Sequence, residues 1–153
     1  MITYRKAVVE DAEKLAEMRG AFLKEMNNVR SEEERTVIEK ACLDYFRQAI
    51  CDDAFLSWVA IDNEEIVATS GLSFSVVPPL FGVPDGRVAY IMNMYTCPSY
   101  RNRGIATTLF SRIVDEAKHL GYKKITLKAT DMGKPLYEKY GFRDVSGEMD
   151  FFT

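Results

Sequence analysis

The chain has little of the chemistry that most often announces a function. Its 153 residues include one histidine and three cysteines. Cys42, Cys51 and Cys97 are odd in number and fit no metal-ligand spacing, so neither a disulfide framework nor a metal site is suggested. No apolar run approaches the roughly 20 residues that cross a bilayer. The opening MITYRKAVVED has no apolar stretch behind its basic residues and no small-residue cleavage site. It does not read as a secretory signal, and the default expectation is a cytoplasmic protein with no membrane partner. There is no basic surplus either: a net charge of −3 and a pI near 5.3, with the two signs interleaved, argue against a nucleic-acid partner. Repeats, linkers and low-complexity tracts are also missing.

What is present describes one folded domain. Hydrophobic residues make up 47% and charged residues 28% of the chain, the balance of a globular protein, and residues 1–153 are one domain in length. A short strand at Ile2 to Lys6 precedes a helix that opens on Glu10 and Asp11 and carries Leu15, Arg19, Phe22 and Met26 on one face. Ser31 and Glu34 form a capping box for a second helix, with an apolar stripe through Val37, Ile38, Ala41, Cys42, Tyr45, Phe46, Ala49 and Ile50. From Ala54 the period becomes that of strands: one to Ile61, a turn at Asp62–Glu65, and a second from Ile66 to Ser75. Val76 to Arg87, rich in proline and glycine, reads as an irregular loop. Val88 to Thr96 reads as a buried strand and Ile105 to Leu120 as an amphipathic helix closed by Gly121, with Lys118 and His119 in its last turn. A strand at Lys123 to Ala129, a short helix at Lys134 to Tyr140, and a last strand or hairpin at Phe142 to Phe152 complete the order. The expectation is a mixed α/β fold, βααββ then βαβαβ, with helices on both sides of a central mixed sheet. Val88 to Ala129 should be a right-handed parallel crossover.

The stretch PSYRNRGIATTLF, Pro98 to Phe110, is the most informative. A helix starting near Gly104 leaves its first N–H groups without intrahelical partners, and the helix dipole favours an anion there. Gly104 has no Cβ and Ala106 a small one, so a ligand can approach the backbone closely, while Arg101 and Arg103 add positive charge. A diphosphate suits such a seat. The Gly-Lys-Ser/Thr ending of a P-loop and the three-glycine fingerprint of dinucleotide folds are both missing. From these residues alone, a solvated turn with a flexible glycine remains open, and most such turns are no more than that.

Tyr100-Arg101-Asn102-Arg103-Gly104-Ile105-Ala106 resembles the R-x-x-G-x-A pyrophosphate loop of the GCN5-related N-acetyltransferase (GNAT) superfamily. Leu136 to Phe142, LYEKYGF, resembles that family's second signature. The resemblance implies the acyl-CoA N-acyltransferase fold. It also implies acetyl-CoA as cosubstrate, with no metal, and a primary amine of a small molecule or peptide as acceptor. The implied diphosphate contacts are Arg101, Asn102, Arg103, Gly104, Ile105, Ala106 and Thr107. Met94, Tyr95 and Thr96 would pair with the pantetheine arm, and Asp131 and Lys134 would lie near the cofactor. Tyr137 falls where family members hold a tyrosine beside the thioester sulfur, and a phenol there can protonate the leaving thiolate. The strand entering the loop has no carboxylate to serve as base. Asn93 can orient water or substrate, and the backbone around Tyr95 can polarise the carbonyl. An acetyl-cysteine at Cys97 competes with direct transfer, but no histidine lies near it in sequence, and His119 suits a helix-terminal role better. A catalytically weak acyl-CoA-binding module is the alternative in function. Carboxylates such as Glu25, Asp85, Glu148 and Asp150 can attract a cationic amine, with solvation at the surface the default for each, and a homodimer is expected by analogy.

Overall fold

A computed structural model describes residues 1–27, 31–145 and 147–153. Strand β1 (Thr3–Lys6) leads through a 3-10 turn (Val9–Asp11) into α1 (Ala12–Asn27), followed by α2 (Glu32–Cys51). Asp11 fastens this entry: its carboxylate accepts from Arg5 at 2.7 and 3.0 Å and from the Val8 N–H at 2.8 Å. The Ser31 hydroxyl accepts the Glu34 N–H at 3.1 Å, capping α2. The stripe expected along α2 is covered over only part of its length. Phe46 and Ala49 are buried against the sheet, whereas Val37, Ile38 and Tyr45 face solvent.

The expected single strand after Ala54 divides into β2 (Phe55–Leu56) and β3 (Trp58–Asp62). At Ser57 the carbonyl turns to accept the Ala7 N–H at 2.8 Å, and the chain passes from pairing with β4 alone to a place between β1 and β4. The long hairpin of β4 (Glu65–Val76) and β5 (Arg87–Thr96) forms the centre of the sheet. Helix α3 (Ile105–His119) then crosses to β6 (Lys124–Leu127), which runs parallel to β5 as the crossover pattern requires. The sheet order is β1-β3-β4-β5-β6, with β2 on β4. Helix α4 (Lys134–Tyr140) closes on Gly141, whose φ of 118° suits glycine.

Two apolar layers sandwich the sheet. Leu15, Met18, Phe46, Phe55, Val59 and Ile66 pack beneath α1 and α2. On the other face α3 buries Ile105, Leu109, Phe110, Ile113, Val114 and Ala117, the i, i+4, i+5, i+8 stripe of an amphipathic helix. The strand or hairpin expected at Phe142 to Phe152 does not form. Ser146 lies outside the described residues, and the rest of that span belongs to no helix or strand. Phe142 packs on Phe110, and beyond it no described tail side chain reaches the core.

Candidate active site

Two departures from regular pairing create a cleft at the C-terminal end of β5. The first is a bulge: Thr69 pairs with Tyr95 but Gly71 with Met92, so β5 carries one residue more than β4 across this step. Asn93 absorbs it with a left-handed φ of 56°, a conformation asparagine tolerates better than most residues. Its carbonyl accepts the Thr69 hydroxyl at 2.9 Å. Its side chain is only 2% exposed, and neither Oδ1 nor Nδ2 has a partner among the described residues. The second departure is a splay. β5 pairs with β6 from Val88 to Ile91, so Met92 to Thr96 run on with no strand beside them on that edge among the described residues.

Into the gap points the start of α3. Pro98 to Gly104 turn the chain there, Gly104 taking a φ of 76° at the N-cap with no side-chain cap. Glu13 stands in the first turn of α1 and Glu32, Glu33 and Glu34 in that of α2, but α3 has no acidic residue in its first turn. Its positive end is therefore left uncompensated from within.

The resulting cleft has a volume of about 940 Å³. It gathers most of the residues expected from the sequence: Met94 to Thr96, Arg101 and Asn102, Gly104 to Thr107, Asp131 and Tyr137 all line it. Arg103, Lys134 and Asn93 do not. Arg103 lies over the Tyr100 ring at 5.0 Å, and Lys134 pairs with Asp144 at 2.6 Å, which raises its pKa. Arg101 faces the cleft but is engaged with the protein: it donates to both oxygens of Glu25 at 2.9 and 3.0 Å and through Nε to the Thr96 carbonyl at 2.9 Å. Its pKa is raised chiefly by the hydrogen bond to Glu25. Arg101 thereby ties the end of α1 to the end of β5.

Tyr137 is 8% exposed and packs on Phe110 at 4.9 Å between ring centroids. Burial pushes its phenol above the ordinary value, so the hydroxyl carries its proton through the neutral range. The same cause acts first on Tyr95, with the Glu25 carboxylate adding to it. Gly133 holds open the space in front of Tyr137. A Cβ there would lie 2.8 Å from both Cε2 and the hydroxyl oxygen of the ring. The Thr130 hydroxyl in turn accepts the Gly133 N–H at 3.0 Å. Cys97 does not line the cleft; it is half-buried against the α1 side, and burial raises its pKa, keeping it a thiol.

The far wall comes from α1, through Phe22, Glu25 and Met26. Sequence reading had placed Phe22 and Met26 on the core face of the helix. The i, i+3, i+4 spacing of Phe22, Glu25 and Met26 was the signal that one face carries all three. Asp85 accepts the Arg87 N–H, and Asp150 lies 3.4 Å from Lys128; neither lines the cleft. Leu136, the first residue of the LYEKYGF signature, does line it, as do Thr130 and Gly133, of which Gly133 was not singled out in the sequence.

Residues 23–142 match the model of the Acetyltransferase (GNAT) family. Among solved structures, the chain is similar to a predicted acetyltransferase with acetyl-CoA from Clostridium acetobutylicum. The two are 35% identical with a TM-score of 0.90, over 99% of this chain and 96% of that one. A GCN5-related N-acetyltransferase from Ralstonia eutropha JMP134 aligns at 26% identity and a TM-score of 0.88 over 99% of both chains. A curated relative, the uncharacterized N-acetyltransferase YjgM of Escherichia coli (strain K12), is 27% identical across 67% of this chain and 60% of its own length. The chain thus spans less than two thirds of the length of the curated relatives it matches.

Proposed function

Since the chain belongs to the GNAT acetyltransferase family, we propose that it moves the acetyl group of acetyl-CoA directly to a primary amine of a small molecule or peptide. One observation carries the reading. The uncompensated N-terminus of α3 opens into the same cleft as a stretch of β5 that β6 leaves unpaired. In this reading the N–H groups of Gly104 to Thr107 hold the diphosphate, and the free edge at Met94 to Thr96 pairs with the pantetheine arm. The similarity to a protein whose crystal structure contains acetyl-CoA supports this choice of donor. Arg103 and Lys134, both outside the cleft, add only longer-range positive charge.

The roles of the remaining groups follow. The acceptor amine attacks the thioester carbonyl, forming a C–N bond, and a backbone N–H near Tyr95 steadies the oxyanion. As the C–S bond breaks, Tyr137 donates its proton to the departing thiolate and recovers one from solvent. The proton leaving the amine passes to water in the cleft, since β5 carries no carboxylate and Asn93, outside the cleft lining, is an amide that does not act as a base at neutral pH. Tyr95, Phe22 and Met26 form the apolar side of the acceptor's path. Asp131 supplies negative charge that favours a cationic amine, whereas the charge of Glu25 is matched by Arg101.

The test is acceptor-dependent release of free CoA thiol from acetyl-CoA across peptides, polyamines, aminoglycosides and amino acids. Release with one acceptor class supports the proposal. Tight acetyl-CoA binding without turnover on any class would replace it with an acyl-CoA sensor, the reading that the carboxylate-free β5 favours.

A further inference from the structure

A second cavity, of about 470 Å³, opens at the opposite end of the sheet and shares no described lining residue with the cleft. Arg87 on its wall begins β5 and Thr96 in the cleft ends it, so roughly 30 Å of strand lies between the two. The volume is that of a small-molecule site. Its walls have the matching composition: Phe55, Leu56, Phe74 and Tyr122 supply apolar surface, with few charged groups among them. Two of those groups carry opposite charge and do not pair with each other. The Arg87 guanidinium lies over the Tyr122 ring at 4.2 Å, and that ring stacks on Phe74 at 5.0 Å with 23° between the planes. One guanidinium N–H donates to the Leu120 carbonyl at 3.3 Å, and among the described residues no carboxylate meets the rest. Asp85 accepts from the Arg87 backbone N–H, at 3.1 Å, rather than from the guanidinium. The remaining cation, Lys6, is matched by Glu116 at 2.6 Å.

The other group is Asp53, just past the end of α2, where the local physics opposes a carboxylate. The helix dipole presents its negative end there. The backbone is left-handed, with φ 54°, at a position where glycine is the usual residue. The neighbouring Asp52 accepts from Gln48 at 2.7 Å, whereas among the described residues no cation or donor meets the Asp53 side chain. A carboxylate standing against both the dipole and the backbone preference, on the wall of a cavity, marks a place where a ligand supplies the partner. Register brings the two charges within reach of one small molecule. β2 and β5 flank β4, and Phe55 and Tyr90 both stand opposite Ser73. Asp53 comes two residues before Phe55 and Arg87 three before Tyr90, which leaves their backbones two strand spacings, about 10 Å, apart.

We propose that this cavity binds a free α-amino acid with an apolar side chain. The ligand's carboxylate takes the Arg87 fork, a bidentate fit that a guanidinium offers and an ammonium does not. Its ammonium sits at the C-terminal end of α2, where Asp53 and the helix dipole both favour a cation. Its side chain lies against Phe55, Leu56 and Phe74. A simple carboxylic acid would leave Asp53 unmatched, and a simple amine would leave Arg87 so; one molecule carrying both charges answers both. The stack on Tyr122 and the Leu120 carbonyl hold the guanidinium in place before the ligand arrives, which lowers the cost of ordering it on binding. The length of β5 keeps this molecule out of the acetyl transfer: it is a second ligand and not the acceptor.

Calorimetric titration of the full chain with L-phenylalanine, L-leucine and L-valine tests this. At least one should bind once per chain with a Kd below about 1 mM. The amide of that amino acid, which lacks the carboxylate, and its N-acetyl form, which lacks the ammonium, should each bind at least tenfold more weakly. Saturating CoA should leave the affinity within twofold. Asp53→Gly should weaken binding at least tenfold while raising Tm, because it removes a left-handed side chain and a charge that the dipole opposes. Loss of binding with a gain in stability separates a ligand group from a structural one. Arg87→Met should weaken binding as much; should it misfold without its stack, Arg87→Lys decides, keeping the charge and losing the fork, again with at least a tenfold loss. No binding of the three amino acids at about 10 mM overturns the proposal. So does equal affinity for the amide or the N-acetyl form, or undiminished binding in Asp53→Gly or Arg87→Lys. Displacement of the amino acid by CoA also overturns it, since that places the molecule in the cleft.

Discussion

Replacing Gly133 by alanine should slow the reaction by displacing one atom. The backbone at Gly133 has φ −84° and ψ −24°, which alanine adopts without strain, so the cost falls on the space in front of the residue. The added Cβ would stand 2.8 Å from Cε2 and the hydroxyl oxygen of Tyr137 and 2.9 Å from Cζ. Ordinary carbon contacts begin near 3.5 Å, so the ring must retreat by roughly 0.7 Å, with Phe110 packed behind it. A misplacement of about 1 Å costs up to ~10²-fold in rate, and loss of a general acid ~10²-fold or more. Gly133→Ala should therefore lower kcat by about 10- to 100-fold, leave the acetyl-CoA Kd within about threefold, and cost about 1–3 kcal/mol of stability as the ring is pressed onto Phe110. The assay is a cycle with Tyr137→Phe, read by thiol release. If Gly133 acts by seating the hydroxyl, the double variant is no slower than Tyr137→Phe alone. Full activity in Gly133→Ala, or an additional slowing of the same size in the Tyr137→Phe background, refutes the reasoning. An unimpaired Tyr137→Phe refutes instead the general-acid role itself.

Two further outcomes follow from charged groups around the cleft and the entry to α1. Glu25→Gln removes the charge from the carboxylate that Arg101 grips at 2.9 and 3.0 Å and should cost about 1 kcal/mol in urea unfolding. Arg101→Met should cost at least as much, and the double variant less than the sum, which a double-mutant cycle reads directly. Asp11 is held below the ordinary carboxylate value, first by its hydrogen bond from Arg5, against the opposing effect of burial. Its folded pKa is thus lower than its unfolded one, so the stabilisation is complete above about pH 4 and is lost as pH falls through the folded value. Asp11→Asn should lower Tm at pH 7 and converge with the wild type as pH falls through the folded value of Asp11; a pH-independent difference would assign the effect to packing.

Much of the architecture was legible because it rests on periodicity. The α3 stripe from Ile105 to Ala117 and the parallel pairing of β5 with β6 follow from the 3.6-residue and two-residue patterns that sequence exposes. The bulge at Asn93 was not legible: an extra residue in one strand shows only when the register of its partner is known, and Met92 to Thr96 read as unbroken strand. Exposure along α2 escaped for a related reason. Val37 and Ile38 keep the spacing of Phe46 and Ala49, but only the C-terminal half of the helix reaches the sheet. The apolar residues scattered from Phe142 to Phe152 suggested a strand likewise, and a strand needs an edge to pair with. At the site, the R-x-x-G-x-A loop marked the start of α3. That Arg101 turns to Glu25, 76 residues away in sequence, depends on tertiary packing that no local pattern contains. Gly133 escaped because its importance lies in what stands opposite it.

The central claim is that the start of α3 is a seat for the donor's diphosphate. The most direct measurement is calorimetric titration of acetyl-CoA into the wild type and into Ala106→Glu. Ala106 is exposed in the first turn of α3 and lines the cleft. A glutamate there suits the helix dipole and should hold or raise Tm, while its carboxylate opposes a diphosphate at the same N–H groups. The account predicts one acetyl-CoA bound per wild-type chain and at least tenfold weaker binding in Ala106→Glu at undiminished stability. Equal affinity in the two proteins would contradict it.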